Sequence, residues 1–63
     1  MNMNIIEILK KMQDVINLAM TDGEKFDKGN NAAGTRVRKH MQELKNMAQD
    51  VRVKISEIKN EGK

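Results

Sequence analysis

The chain has 63 residues, 12 Lys and Arg against 9 Asp and Glu for a net charge of +3, 38% apolar residues, a single aromatic residue and neither Cys nor Pro. The lack of Cys excludes a disulfide-stapled mini-fold and any thiolate metal site, and one His with one Ser cannot furnish a Ser-His-Asp triad or a His-rich metal centre. No apolar run approaches a membrane span or a signal-peptide core, so the expected location is the cytoplasm, with no membrane partner, no small-molecule substrate and no cofactor.

The first predicted element is a helix over about residues 4–28. Its apolar residues Ile5, Leu9, Met12, Ile16, Ala19, then Gly23 and Phe26, recur at alternating steps of four and three, a heptad seam. Thr21-Asp22-Gly23-Glu24 spells a capping box that would start a new segment. The seam keeps its phase through Phe26, however, which predicts one continuous helix. Next comes Lys28-Gly29-Asn30-Asn31, the strongest turn signal in the chain. Gly29 suits the left-handed position after a helix, and Asn30 or Asn31 suits the cap of the next one. A second helix follows over about 31–60, with the seam Val37, Met41, Leu44, Ala48, Val51, Ile55 and Ile58. The final residues 60–63 are expected to fray. Gly23 and Gly34 occupy equivalent seam positions either side of the turn, where they are expected to let the two backbones approach; the alternative makes Gly23 a weak point costing about 1 kcal/mol relative to Ala.

The fold class is therefore all-α: an antiparallel helical hairpin forming one domain over residues 1–63. A chain this short buries little apolar surface on its own. Helix 1 also carries more apolar residues than one seam uses, with Ile6, Ile8, Val15, Leu18 and Met20 beside it, and helix 2 adds Met47 and Val53. The surplus predicts self-association as a homodimer, two hairpins closing into a four-helix bundle, with Ile6, Ile8, Val15, Leu18 and Met47 as the oligomer interface.

Charge divides unevenly. Residues 1–31 carry four Lys and five acids, whereas residues 32–63 carry eight bases and four acids. Arg36, Arg38, Lys39 and His40 form a cluster with no acid inside it, approached across the turn by Lys25 and Lys28. Positive charge in the opening turns of a helix opposes the helix dipole unless an anion is bound there. Arg36, Arg38, Lys39, Lys28 and Lys25, with Lys45 and Arg52 further along, are thus the candidate phosphate-binding residues. For Lys45 and Lys59 a solvated face laced with salt bridges is the competing reading, and His40 reads most simply as a solvated polar residue. Gly29 to Thr35 has P-loop spacing but lacks the Lys after the second Gly. Asp22, Glu24 and Asp27 near Gly29 lack the order and the closing Glu of a calcium loop.

The stretch from Glu24 to Val53 carries Lys28, Gly29, Asn30, Ala32 and Ala33, then Arg36-x-Arg38, then Leu44 and Ala48. On these residues it resembles the bacterial histone H1-like family named from the chlamydial nucleoid-condensing protein. It implies a non-enzymatic, nucleoid-associated protein that binds double-stranded DNA, with the Arg-x-Arg region as a contact. Chlamydial members carry a long Lys/Ala-rich tail with no counterpart among these residues, so the resemblance implies the helical domain rather than tail-driven compaction. The alternative function is a protein-interaction or oligomerisation module without a nucleic-acid role, with RNA binding a more distant reading.

Overall fold

The computed structural model describes residues 4–61 and consists of two helices, α1 (Ile5–Asp27) and α2 (Asn31–Glu61), packed side by side in a rod of 52 × 18 × 15 Å. The helix starts where its first donors find acceptors. Asn4 Oδ1 accepts from the Glu7 N–H at 2.9 Å while Glu7 Oε1 accepts from the Asn4 N–H at 3.3 Å, a reciprocal box. Thr21–Glu24 lies inside α1, which continues without a break, as the phase of the seam predicts. At the other end of the chain, α2 runs through Asn60 and Glu61 where fraying was expected; residues 62 and 63 fall outside the described range.

The turn is built on Gly29, at φ +104°. Its N–H donates to the Phe26 carbonyl at 2.9 Å and the Asn30 N–H donates to the Lys25 carbonyl at 3.0 Å. This pair of bonds closes a helix through a left-handed residue, a backbone conformation that an L side chain resists. Asn30 then caps α2, its Oδ1 accepting from the Ala33 N–H at 3.2 Å.

The helices meet on a face rotated from the expected seam. On α1 the buried and half-buried residues are Ile5, Ile8, Met12, Val15, Ala19, Asp22 and Gly23; on α2 they are Ala33, Gly34, Val37, His40, Glu43, Leu44, Met47, Ala48, Val51 and Lys54. Ile5, Met12, Ala19, Val37, Leu44 and Val51 keep their expected place. In the alternate positions, however, Ile8 and Val15 turn inward where Leu9 and Ile16 were expected, and His40 and Lys54 where Met41 and Ile55 were, while Asp22 and Met47 join Gly23 and Ala48, which stay half-buried. Both helices are turned the same way, so Leu9, Ile16, Met41 and Ile55 remain 40–43% exposed. The apolar sector of α1 is wider than one neighbour can cover. Packing has settled where Val15, Ala19 and Ala33 allow close approach, and these three are the buried hydrophobic residues among those described.

This rotation alters the expected oligomer face. Val15 is buried, and Ile8 and Met47 are half-buried, all within the hairpin, whereas Ile6 and Leu18 are exposed. The glycine expectation changes as well. A side chain at Gly23 would meet nothing within 4 Å, so no backbone approaches there. A Cβ at Gly34 would stand 2.6 Å from ring atoms of Phe26; this glycine makes room for an aromatic ring rather than for a helix backbone.

Candidate nucleic-acid interface

The turn end places the basic residues on different sides of α2. Arg36 and Arg38 are two residues apart, which puts them on nearly opposite sides of a helix of 3.6 residues per turn. Arg36 faces α1, where its Nε donates to Asp22 Oδ1 at 2.9 Å. The acid missing from the local sequence is thus supplied by the other helix, and the Arg36 charge is already partnered. Arg36 keeps 47% of its side-chain surface, while Asp22 is reduced to 14%. The Arg36 hydrogen bond holds the Asp22 carboxyl below its ordinary value, against an opposing effect of burial, with further help from the charges of Arg36, Lys25 and His40.

His40 joins the same cluster and is not a freely solvated residue. Its side chain is 17% exposed, with Nε2 3.6 Å from Asp22 Oδ2 and Nδ1 3.4 Å from Glu43 Oε1. Nδ1 is buried and has no aligned hydrogen-bond partner. Lys25 sits in the last turn of α1 and Lys28 is its C-cap residue; both are exposed.

The opposite side of α2 is different in kind. Arg38, Gln42, Lys45, Gln49, Arg52, Ser56 and Lys59 succeed one another at steps of four and three, all exposed and with no acid among them. Among the described residues the ion pairs are those of Arg36, Asp22, His40 and Glu43, and none of them involves the four cations of this stripe. Seven residues rise about 10.5 Å, which spreads Arg38 to Lys59 over about 31 Å. Lys39 is exposed beside the stripe. No acid occupies the first turn of α2 to offset its N-terminal dipole.

Between this stripe and α1 runs the groove left open by the rotated packing. Its floor includes Leu9, Met12, Ile16, Met41, Leu44 and Ala48, with Asp14 and Lys45 also lining it, and its volume is about 850 Å³. A second cleft of about 550 Å³ lies at the turn end, between Phe26 and Arg38.

The sequence located Arg38, Lys39, Lys45 and Arg52 on exposed surface but grouped Arg36 with them. Asp22 and Arg36 each lie seven residues from Gly29, so folding the sequence about that glycine would have revealed the pair. Gln42, Gln49 and Ser56 were missed because amides and hydroxyls carry no charge signal; their heptad spacing with the bases was the available clue. Among the described residues no helix is long and apolar enough to cross a membrane. The family model described as histone H1-like protein Hc1 matches residues 6–61. No curated protein and no solved structure matches the chain.

Proposed function

The chain belongs to the histone H1-like protein Hc1 family, and from that premise we propose that it is a non-enzymatic, nucleoid-associated protein that binds duplex DNA through its phosphates without reading sequence. The observation that carries this reading is the acid-free stripe on α2, where Arg38, Lys45, Arg52 and Lys59 stand exposed and without an ion pair among the described residues. Charged and amide side chains in one row suit a phosphate backbone, with Gln42, Gln49 and Ser56 donating between the cations. Lys39 and Lys28 extend the positive surface to the turn end. Arg36 enters this reading only as a support, because Asp22 already holds it.

Self-association belongs to the same reading. The faces turned outward on both helices, Leu9 and Ile16 on α1 with Met41 and Ile55 on α2, are what a second hairpin would cover in a four-helix bundle. Two copies would then present two stripes, raising affinity through effective concentration. A retardation assay with one duplex at two salt concentrations tests the DNA reading. Binding that weakens steeply with salt supports it. A chain that associates with itself but leaves DNA free at low salt would instead be an oligomerisation module.

A further inference from the structure

Phe26 is the only aromatic residue of the chain, yet it sits at the turn end rather than in the middle of the hairpin, with 49% of its surface exposed. Its ring is seated against Gly34, where any Cβ would stand 2.6 Å from Cδ1 and Cε1. A glycine inside a helix is unfavourable, so α2 gives up helix propensity to seat a ring that remains half open. The ring lines the cleft of about 550 Å³ together with Asn31, Thr35, Arg38 and Asp27. That volume falls within the roughly 300–1,000 Å³ of small-molecule sites. Gly23, also on the cleft wall, has nothing within 4 Å of where its side chain would be.

We propose that this cleft takes an unpaired nucleobase of single-stranded DNA, stacked on Phe26, with the adjoining phosphate held by Arg38. The inference rests on the DNA-binding reading and extends it from the backbone to a base. Every base offers a π-face to an aromatic ring, so the contact is tolerant of sequence. The polar groups are placed for such a ligand. Arg38 is unpaired within the described residues and heads the stripe, so a strand lying on that stripe delivers its phosphates there. Asp27 repels phosphate from its own wall and accepts from the N–H groups of a base, such as N3–H of thymine, while Asn31 and Thr35 each provide a donor and an acceptor for base edges. Bases inside a duplex are stacked on one another and cannot enter, so the ligand is a single strand or an extruded base.

The test uses the full chain and two probes of equal charge, a ten-residue oligodeoxythymidylate and an abasic phosphodiester of the same length. The parent should prefer the base-bearing strand. Phe26→Leu keeps an apolar side chain at the turn but removes the π-face; it should bind the thymidylate about 5- to 150-fold more weakly, with binding of the abasic strand and of duplex DNA unchanged. Phe26→Trp provides a second readout that stands even if the leucine variant fails to fold: its indole emission should be quenched by the thymidylate and not by the abasic strand. Equal affinity of the parent for the two probes would overturn the proposal while leaving phosphate binding intact. So would a Phe26→Trp emission that shifts with protein concentration alone, which would assign the cleft to a second copy. A parent that binds neither probe nor duplex defeats the underlying DNA reading as well.

Discussion

Asp22 and Arg36, one on each helix and each seven residues from Gly29, are joined by a 2.9 Å bond from Arg36 Nε to Asp22 Oδ1. The same carboxylate lies 3.6 Å from His40 Nε2 through its other oxygen. These contacts require Asp22 and His40 to be at the helix interface. Residues one heptad away from each, Val15 and Met47, therefore turn inward with them. The ion cluster and the rotated packing are thus one feature, and the open groove on the far side follows from it.

Removal of that carboxylate should weaken the hairpin in a pH-dependent way. The Asp22 carboxyl is held below its ordinary value in the folded chain, so its contribution is fully present above the unfolded value and is lost as pH falls through the folded one. Thermal melts followed by helical ellipticity should show Asp22→Asn less stable than the parent at neutral pH. The gap should close as pH drops below the carboxylate range, about pH 4 and lower. A gap that persisted in acid would mean that shape, not charge, makes the contact.

The two helix glycines on either side of the turn should respond in opposite directions. Gly23→Ala meets nothing within 4 Å and should raise stability by about 1 kcal/mol through helix propensity. In Gly34→Ala the new methyl group collides with the Phe26 ring, so that gain should be cancelled or reversed as the ring is pushed out. At the turn itself, Gly29→Val forces a branched side chain into φ +104° and should cost about 1–2 kcal/mol. Denaturant titration of the three variants provides the comparison. Equal effects at Gly23 and Gly34 would contradict the seating of Phe26.

How much of this was legible in the sequence depended on whether the signal was local. The turn at Gly29 and the Asn30 cap declare themselves through residue types with special backbone roles, and both were readable. The heptad steps located two helices and their apolar sectors, but a sector wider than one seam does not say which of its edges meets the neighbour. Leu9 or Ile8, and Ile16 or Val15, fit the same periodicity. The choice was made by groups outside the apolar pattern, the Asp22–Arg36–His40 contacts and the small residues Ala19 and Ala33. For the same reason the basic cluster looked acid-free, because Asp22 lies fourteen residues away from Arg36 in the chain.

Self-association should be sensitive to outward residues such as Leu9 and Ile16 and not to Val15, which the hairpin itself buries. Leu9→Lys with Ile16→Lys places charge on the exposed face of α1 and should dissociate the assembly with helix content kept, as read by sedimentation and circular dichroism. Val15→Lys should unfold the hairpin instead, since that side chain is 7% exposed and a buried unpaired charge is not tolerated. A monomeric, well-folded parent at micromolar concentration would remove the four-helix bundle from consideration.

The DNA contact should map to the stripe and leave Arg36 aside. Each phosphate neutralised in B-DNA contributes a slope of about −0.9 to the dependence of log affinity on log salt. Arg38→Gln, Lys45→Gln and Arg52→Gln should therefore each weaken duplex binding and make that slope shallower by about 0.9. The losses should be nearly additive in the triple variant, because the residues stand about 10.5 Å apart and share no partner. Gln42→Ala and Gln49→Ala remove donors without removing charge, so they should lower affinity while leaving the slope unchanged. Arg36→Gln provides the control from the other side of the helix. It breaks the bond to Asp22 and should lower the melting temperature, yet at temperatures where the hairpin stays folded its salt slope should match that of the parent. If Arg36→Gln flattened the slope as much as Arg38→Gln does, the arginine would have to leave Asp22 to reach DNA, and the contact surface would centre on the ion cluster rather than on the stripe.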